Sequence, residues 1–580
     1  MSTVRHGASA PTGQFGLLRQ RRFGPFFVTQ FLGAANDNLF KFALTVLVTY
    51  QLQLDWLPPD MAGLVIGSLF ILPFVLLSAT AGQWADKHDK AWIMLRVKQL
   101  ELGIMVLATV GFALHAVPVL LACIFLMGLH STLFGPAKYA YLPQHLDERE
   151  LTGGNGMVEM GTFVAILLGN VAGGLLMAVP GVGSMWVSVA CLSLAALGWW
   201  TAARVPASPS AAPDLVVNWN PLSETWRNLM LAREEPSVLR SLIGISWMWF
   251  FGAVFLAQFP SFARGVLGGD EHVASLLLVV FSVGIAVGSL CCESWSHRHV
   301  EIGLVPIGAL GMTVFGLDLF ASTRGLSHAP DAALLTVREF VREPVHLRVM
   351  VDLALMAFST GLYSVPMYAL IQLRSRPERR ARIIAANNIL NALFMIVSSL
   401  LAGVLLGAGW RVPDVFGATA ALNLLVVGAV FWFMPEYPRR LGLLVLQRWV
   451  YRPQDGAANE VVSLPQDGPA IALARKWTRA DAVALAHGHP RPTAWVTTCQ
   501  GDGDAGIGAL RWPLVVIELA LDADERVAAR ALAQAQAVLD AGGVLCGVAS
   551  ATGHPPWVGA LLKTHAVPVC GGGAHPSPEA

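Results

Sequence analysis

Apolar runs of about 20 residues, the length a helix needs to cross a bilayer, recur along most of this chain and constrain its fold. Six runs lie on either side of a polar stretch at 205–238 that is rich in Pro and Ser. The pattern predicts an all-α polytopic membrane protein with 12 transmembrane helices. The predicted spans are centred near Val46, Leu69, Val106, Cys123, Leu168, Leu192, Val254, Val280, Ile307, Leu355, Ser398 and Val427.

Composition narrows the class of protein further. Only 13% of the 580 residues are charged and 55% are hydrophobic, whereas a soluble protein carries about twice that charged fraction. A net charge of +1 says nothing about nucleic acid, and the sequence has no basic tract interleaved with aromatics, so no nucleic-acid partner is predicted. The seven cysteines are scattered without metal-ligand spacing, so buried thiols are expected and no metal site is predicted.

Basic residues predict the orientation, because positively charged loops stay in the cytoplasm. Lys87 and Lys90 follow the second span and Arg149 follows the fourth, whereas the alternate loops of the first half carry no Lys or Arg. Both termini are therefore predicted to be cytoplasmic; the arginine-bearing loop at 323–348 is an exception. The N-terminal residues lack a short apolar core with a cleavage site, so no removed signal peptide is expected.

The two sets of six spans echo each other, which indicates duplication. STLFGPAKYAYLPQ at Ser131 is echoed by STGLYSVPMYALIQ at Ser359, and GGNGMVEM at Gly153 by AANNILNA at Ala385. Two parallel six-helix bundles with the substrate site between them resemble the major facilitator superfamily. The predicted domains are a cytoplasmic N-terminus (1–22), an N-terminal bundle (23–204), a cytoplasmic linker (205–238), a C-terminal bundle (239–436), an amphipathic link (437–463) and an α/β cytoplasmic domain (464–580).

The loop GQWADKHDKA after the second span resembles the superfamily's cytoplasmic signature, which gates the transporter. Gly82 permits close helix packing, and Asp86 can cap a helix or pair with a basic residue. Asp89 stands where the signature has a glycine. The matching loop of the second half keeps an acid and a base, so the predicted gating residues are Gly82, Asp86, Lys87, Lys90, Glu293 and Arg298.

Rarer strings point to a substrate. QFLGAANDNLFKFAL, FGPAKYAYLPQHL followed by GGNGMVE, and HVEIGLVPIGALGM resemble the lysophospholipid transporter family of bacterial inner membranes, over about 26–437. The resemblance implies a multi-pass inner-membrane transporter, not an enzyme, that flips lysophosphatidylethanolamine-like lysophospholipids from the outer to the inner leaflet for reacylation by alternating access. The implied partners are the lysophospholipid substrate, membrane lipids and a separate acyltransferase, and no cofactor is implied.

Polar residues within the first span are the strongest candidate for a binding site. An aspartate at a helix centre costs about 2.5–3.5 kcal/mol even on the insertion scale, so it usually faces a cavity. Asp37 is flanked by Asn36 and Asn38, whose amides are predicted to donate hydrogen bonds to it. Lys41 follows one turn later, so a local ion pair is the alternative. The corresponding residue of the second half is Leu256, so the acid belongs to one half only.

Other polar residues within the spans extend this prediction. Lys138 is a candidate contact for the lipid phosphate, or snorkels to the interface. Glu159 and Asp352 are candidates for inter-helix pairing or for a coupling cation, H⁺ or Na⁺, whereas Glu101 lies near a predicted span end and is interpreted as structural. The predicted substrate-binding residues are Asn36, Asp37, Asn38, Lys41, Lys138, Asn155 and Glu159, although Asn155, with Asn387 and Asn391, also fits a role in holding helices together. The aromatics predicted for an acyl-chain path are Trp247, Trp249, Phe250 and Phe251.

The C-terminal tail resembles a shortened glycerophospholipid acyltransferase domain that has lost its chemistry. Such enzymes use a histidine base that is oriented by an aspartate, with four residues between the two. Aligned on Asp481, the histidine position holds Lys476, and a protonated lysine cannot accept the proton. His487 and His489 could replace the missing base, but the string HGHP that contains them is interpreted as a surface turn. The resemblance therefore implies an inactive domain.

Two other functions remain open at this stage. One is a major facilitator exporter of drugs or small metabolites with a scaffold tail, because the superfamily fold hosts many substrates. The other is a transporter whose tail retains residual acyltransferase activity. Lys476 argues against the second, and only the rarer strings argue against the first.

Overall fold

The computed structural model describes residues 13–433, except 53, 55, 58, 297–299 and 329–332, together with Leu441 and four strands in the tail. The chain divides into two compact units, Met1–Met434 and Pro435–Ala580. In the described part of the first unit the regular elements are helices, and in the described part of the second they are strands.

Twelve long helices make up the first unit. They are α1 (Gly24–Val46), α2 (Pro59–Lys87), α3 (Lys90–Ala113), α4 (Val117–His145), α5 (Glu148–Met177), α6 (Gly183–Ala202), α7 (Pro236–Gly265), α8 (Glu271–Trp295), α9 (Leu304–Thr323), α10 (Pro344–Arg374), α11 (Arg380–Gly407) and α12 (Val412–Phe433).

Shorter elements connect or extend the long helices. A π-helical turn, Leu47–Gln51, continues α1, and a single turn, Gln14–Leu17, precedes it. A helix of 13 residues, Pro221–Arg233, lies in the linker between the halves, and Asn220 caps it by accepting from the N–H groups of Leu222 and Ser223. Two further turns are Val337–Phe340 and Pro377–Arg379.

Within the described residues, 11 helices are long and apolar enough to cross a membrane. The exception among the long helices is α3, whose 24 residues include Lys90, Arg96, Lys98 and Glu101. Charged side chains are costly in the hydrocarbon core, so α3 is not assigned on composition. The predicted total of 12 spans is therefore supported for 11, and the span near Val106 stays a prediction.

The first span lies nearer the N-terminus than predicted. The sequence pattern centred it near Val46, but α1 ends at that residue. The helix continues through the polar residues 36–38 because their side chains find partners inside the bundle. Asn36 and Asp37 bond to residues of α3 and α4, and Asn38 donates to the carbonyl oxygen of Ala34 in its own helix. Asp37 consequently lies well inside a membrane-spanning helix.

Each half is a bundle of six helices. In the N-terminal half α1 packs against α5 and α6, while α4 packs against α2 and α3. Small residues let α1 and α5 approach closely, since a methyl group on Gly169 would lie 2.4 Å from the carbonyl oxygen of Ala35, and one on Gly173 would lie 2.4 Å from that of Leu39. In the C-terminal half α10 packs against α8 and α9, α11 against α7, and α12 against α9.

The halves meet mainly along two seams, α2 with α11 and α5 with α8. We call the end of the bundle that holds the C-termini of α2, α4, α8 and α10 the inner end; the charge pattern predicts that it is cytoplasmic. The hydrogen bonds that join the halves cluster there.

The second unit contains four described strands, β1 (Ala470–Ala474), β2 (Thr493–Thr497), β3 (Leu514–Glu518) and β4 (Val544–Gly547). They form one parallel sheet in the order β2-β3-β1-β4. Neighbouring parallel strands need crossover connections, which is compatible with the predicted α/β domain. The connections lie outside the described residues, as do Lys476, Asp481, His487 and His489.

Candidate functional site

A group of buried polar side chains lies in the middle of the N-terminal half. We call it the N-half cluster, and its members are Asn36 and Asp37 on α1, Lys98 and Glu101 on α3, and His130 and Ser131 on α4. The sequence builds it from three helices, each contributing two neighbouring or near-neighbouring polar residues to an otherwise apolar core. That core includes Phe40, Met105 and Ile124, all fully buried.

Glu101 is the most fully paired acid of the cluster. Its Oε2 accepts a 2.6 Å hydrogen bond from Nζ of Lys98, and both side chains are almost completely buried. Its Oε1 accepts a 2.6 Å bond from the Asn36 amide, and Nε2 of His130 lies 3.1 Å from Oε2. Glu101 lies at the middle of α3, so the prediction that placed it near a span end was wrong.

Asp37 has fewer partners. It accepts a hydrogen bond from the Ser131 hydroxyl, and its Oδ1 lies 3.8 Å from Nδ1 of His130. His130 therefore stands between two carboxylates, Asp37 on one side and Glu101 on the other. With His130 neutral, Lys98 balances one of the two acids and one net negative charge remains. A proton on His130 would offset this remaining negative charge.

The amides of Asn36 and Asn38 do not donate hydrogen bonds to Asp37, so that prediction was wrong. Asn36 donates to Glu101, and Asn38 donates a 2.8 Å bond to the carbonyl oxygen of Ala34 in its own helix. Consecutive helical residues point about 100° apart, so the three side chains face different neighbours rather than one polar face. The hydrogen bond to Asp37 comes instead from Ser131 on α4.

Lys41 is half-buried, and its Nζ lies 4.9 Å from the centre of the Phe70 ring on α2. Among the described residues no ion pair within 4.0 Å joins it to Asp37, so the local pair considered from the sequence does not form. Its charge still lies near Asp37, one helical turn away.

A second polar group lies where the halves meet, and we call it the inter-half cluster: Lys138 and Tyr139 on α4, Glu159 on α5 and Tyr368 on α10. The rings of Tyr139 and Tyr368 stack with centres 4.7 Å apart and planes only 2° apart. The Tyr139 side chain lies beside the Glu159 carboxylate, whose Oε1 has no hydrogen-bond partner. Lys138 points into the bundle, with Nζ 3.4 Å from the Thr162 hydroxyl.

The two stacked tyrosines belong to the repeated strings that begin at Ser131 and Ser359. Each follows the proline of its string by two or three residues, on α4 in one half and on α10 in the other. Their contact brings equivalent helices of the two halves together. The internal repeat thus indicates which helices meet at the centre.

Amide side chains hold the halves together closer to the inner end. Asn155 and Gln372 exchange two hydrogen bonds, of 2.8 and 2.9 Å, and both are fully buried. This arrangement matches the helix-holding role considered for Asn155. On α11, Asn391 hydrogen-bonds to Ser246 of α7, whereas Oδ1 of Asn387 has no partner.

The aromatics of α7 divide into two groups. Trp247, Phe250 and Phe251 are buried, and the indole N–H of Trp247 donates to Asn423. Trp249 is half-buried, donates to the Tyr368 hydroxyl at 3.4 Å and stacks near Phe163 of α5. Only Trp249 of these four therefore retains surface for a ligand.

The predicted gating motif joins the halves along the α2–α11 seam. Asp86 accepts from the backbone N–H groups of Ala381 and Arg382, which begin α11, and from Nε of Arg382 at 3.0 Å. An acid at a helix N-terminus is favourable because it satisfies free N–H groups and meets the positive end of the helix dipole. A methyl group on Gly82 would lie 2.6 Å from Cβ of Ala385, so the close approach needs glycine.

The other gating residues have different surroundings. Lys90 is buried and its Nζ has no hydrogen-bond partner, while Lys87 is half-buried in the last turn of α2. Glu293 accepts from the backbone N–H of Gln14 at the α5–α8 seam. Arg298 lies outside the described residues. Asp89 caps α3 by accepting from the N–H of Trp92, with a φ of −60°, so the turn has no need of the glycine of the signature.

The C-terminal half has no ionisable counterpart of the N-half cluster in its described residues at the same depth. The nearest equivalent is neutral: the Asn423 amide donates to the Thr313 hydroxyl and accepts from Trp247. Asp352 lies elsewhere, on the outer part of α10, where its Oδ2 has no hydrogen-bond partner. Among the described residues no group of three or more His, Cys, Asp or Glu could hold a metal ion.

Sequence reasoning missed three members of the N-half cluster, Lys98, His130 and Ser131, and it named Glu101 without placing it in the cluster. Lys98 and Glu101 carry a usable signal, because opposite charges three residues apart within an apolar run pair along a helix. His130 and Ser131 carry almost none, since a single histidine in an apolar run also fits a core position. Only the packing of α4 against α1 and α3 identifies them.

The fold defines the class of protein. A model of the Major Facilitator Superfamily matches residues 26–337 and 266–446. The human organic anion transporter MFSD10 superposes with a TM-score of 0.56 at 13% identity, over 70% of this chain and 98% of that one. The transporter FucP, solved in its outward conformation, superposes with 0.52 at 12% identity, over 72% and 98%. The protein is a membrane transporter of the major facilitator type.

Sequence relatives define the family more narrowly. Lysophospholipid transporter LplT of Serratia proteamaculans is 30% identical over 300 residues, which cover 50% of this chain and 70% of the relative. The protein of the same name from Yersinia pestis is 27% identical over 360 residues, covering 60% and 77%. The chain belongs to the lysophospholipid transporter family of the major facilitator superfamily, as the sequence strings indicated.

Proposed function

We propose that this protein moves lysophospholipids from the outer to the inner leaflet of a bacterial inner membrane by alternating access of its two halves. The observation that carries the proposal is the N-half cluster, a set of ionisable side chains deep in one half of a family whose named relatives are lysophospholipid transporters. A lysophospholipid needs a polar site for its headgroup and apolar surface for its single acyl chain.

The roles follow from exposure and charge. Asp37 has an incompletely paired carboxylate and is suited to the headgroup amine. Lys41 and Lys138 are half-buried cations suited to the phosphate. Half-buried aromatics of α1 and α7, Phe31 and Trp249, offer apolar surface for the acyl chain. Asn36 and Asn38 act indirectly, because their amides are engaged by Glu101 and Ala34.

The alternating-access step follows from where the halves touch. Asp86 with Arg382, and Asn155 with Gln372, close the inner end. With the predicted orientation, the conformation described is one that faces outward. Release of the lipid toward the cytoplasm requires these contacts to break while the outer ends approach each other.

The coupling cation, if the transport is driven, is proposed to be a proton. His130 lies between Asp37 and Glu101, so a proton at Asp37 or His130 changes the charge that a headgroup amine meets. Lys98 neutralises Glu101, which confines the change to the Asp37 side. Dissipating the proton gradient in vesicles is then expected to slow transport, whereas dissipating a sodium gradient is not.

The tail and the span count complete the proposal. We propose α3 as the twelfth span, with both termini cytoplasmic, because Lys98 and Glu101 neutralise each other inside the bundle. The tail is proposed to be an inactive acyltransferase-like domain that covers the cytoplasmic face or binds a separate acyltransferase.

Uptake of labelled lysophosphatidylethanolamine tests the function directly. Spheroplasts that lack their own transporter and produce this protein are expected to accumulate the lipid in a form that albumin cannot extract, in contrast to spheroplasts with an empty vector. Lack of lysolipid uptake together with export of a panel drug would replace this proposal with the exporter alternative. Acylation by the purified full-length protein would restore an enzymatic role for the tail.

A further inference from the structure

The linker between the halves contains a helix with two unlike faces. Glu224, Asn228 and Ala232, each one turn apart, are fully buried against the bundle, where the helix packs on α2, α7 and α11. The other face carries Leu222 and Trp226, which are 83% and 65% exposed. Side chains of this size are seldom left in water on a surface that has no partner.

The segment that leads into the helix continues this apolar surface. Val216 and Trp219 are 82% and 68% exposed. We call these four residues, Val216, Trp219, Leu222 and Trp226, the linker patch. The patch belongs to a stretch of chain whose sequence suggested only a polar cytoplasmic loop.

Contacts with α2 fix the depth of the linker patch. The ring of Trp219 lies edge-on to Trp84, in the last turns of α2, with centres 6.2 Å apart. The neighbouring residue, Asn218, exchanges two backbone hydrogen bonds with the side chain of Gln83, of 2.7 and 2.9 Å. The patch is therefore held level with the ends of the spans.

Other exposed tryptophans lie at the same level. Trp92 is in the first turn of α3, and Trp199 and Trp200 are in the last turn of α6. Arg96 and Arg204 lie over the rings of Trp92 and Trp200. Tryptophans and arginines at the ends of spans are typical of the interface between lipid and water.

We propose that the linker helix lies in the plane of this interface, with Leu222 and Trp226 against the lipid of the inner-end leaflet. The occupant of the linker patch is lipid rather than a protein, because the patch continues the ring of interfacial tryptophans. Arg227 lies next to Trp226, with Nη1 3.9 Å from Oε2 of the buried Glu224 and 55% of its side chain exposed, which leaves surface for lipid phosphates.

The contact has a consequence for the gate. The linker helix packs on α11, and Arg379, just before α11, pairs with Glu234, just after the linker helix, at 2.7 Å. Lipid bound to the linker helix therefore acts through these contacts on α11. The first turn of α11 is the part of the gate that Asp86 caps. This inference is independent of which molecule the protein carries.

Photo-crosslinking of the full-length protein in membranes tests the proposal. A benzophenone amino acid replaces Leu222 or Trp226, with the exposed Asp214 of the same linker as the matched control position. Mass spectrometry is expected to find phospholipid adducts at positions 222 and 226 and only background at 214. Unchanged thermal unfolding of each variant shows that the fold is retained, since all three positions are on the surface.

Two results would overturn the proposal. Protein adducts at 222 and 226 in place of lipid adducts would make the linker patch a docking site for another protein. Equal, background-level adducts at all three positions would mean that the patch lies in water.

Discussion

Asp37 and Glu101 are both carboxylates inside the N-terminal half, yet they differ in how completely their charge is satisfied. Glu101 has a lysine, an amide and an imidazole around it and is fully buried. Asp37 has one hydroxyl donor and a more distant imidazole. The first arrangement is typical of a structural ion pair, and the second leaves capacity for a ligand.

Replacing Asp37→Asn is expected to abolish lysolipid uptake while leaving thermal stability nearly unchanged. The amide keeps the shape of the side chain and accepts from Ser131 but removes the negative charge. Uptake in spheroplasts and unfolding of the purified protein in detergent measure the two effects. Wild-type uptake by this variant and by Asp37→Ala would remove Asp37 from the mechanism.

Replacing Lys98→Met is expected to lower the free energy of unfolding by about 3–5 kcal/mol, because the variant leaves Glu101 charged, buried and unpaired. The double variant Lys98→Met with Glu101→Gln should recover most of that loss, since residue 101 then carries no charge. Denaturation of the purified protein in detergent measures both. Equal stability of the single variant and the wild type would show that the pair contributes nothing.

At the scale of the element, α3 is the long helix that composition does not assign as a span, and the positions of its charges support the proposal that it is one. Its charges at 98 and 101 point into the bundle and pair there, so the lipid does not meet them. Those at 90 and 96 lie in the first two turns, near the inner end. A helix with this distribution can cross a bilayer although it carries four charged residues.

The position of α3 is open to a fusion test. Alkaline phosphatase inserted after His115, between α3 and α4, is expected to be active, because that loop then lies outside the cytoplasm. The same insertion after His88, between α2 and α3, should be inactive. Equal activity of the two fusions would show that α3 does not cross the membrane.

At the scale of the whole molecule, the halves are joined by contacts at the inner end, and the proposed alternating access requires these contacts to break. Gly82 and Ala385 approach more closely than any larger pair would allow. The two positions lie on different halves, so their separation reports on opening.

The double variant Gly82→Cys with Ala385→Cys is expected to form a disulfide under mild oxidation and to stop uptake until a reductant is added. A Cβ on residue 82 would lie 2.6 Å from that of Ala385 and 2.9 Å from Cα of Arg382, and a disulfide needs a Cβ separation of about 3.5–4.5 Å. The bond therefore forms when α2 and α11 move slightly apart, and the Gly82→Cys single variant measures the effect of that separation alone. Each single cysteine variant is the control for the native cysteines. Full uptake by the oxidised, cross-linked protein would contradict alternating access at this seam.

The sequence by itself determined the membrane class, the two halves and the family, and it singled out the loop after α2, whose gating role stays a prediction. Long apolar runs, repeated strings and a loop signature are local patterns, and lipid forces each run into a helix that bonds its own backbone. Asp37 was identifiable for the same reason, because an acid in an apolar run is costly wherever the run packs.

Only the tertiary structure decided which polar residues act together. His130, Ser131 and Lys98 are separated from Asp37 by about 60 to 90 positions in the chain, and α4 and α3 bring them to it. Side-chain direction decided the rest: Asn36 and Asn38 flank Asp37 in sequence but face other helices, because each helical residue turns by about 100°. A carboxylate's partners in a membrane bundle are set by helix packing, which one sequence does not record.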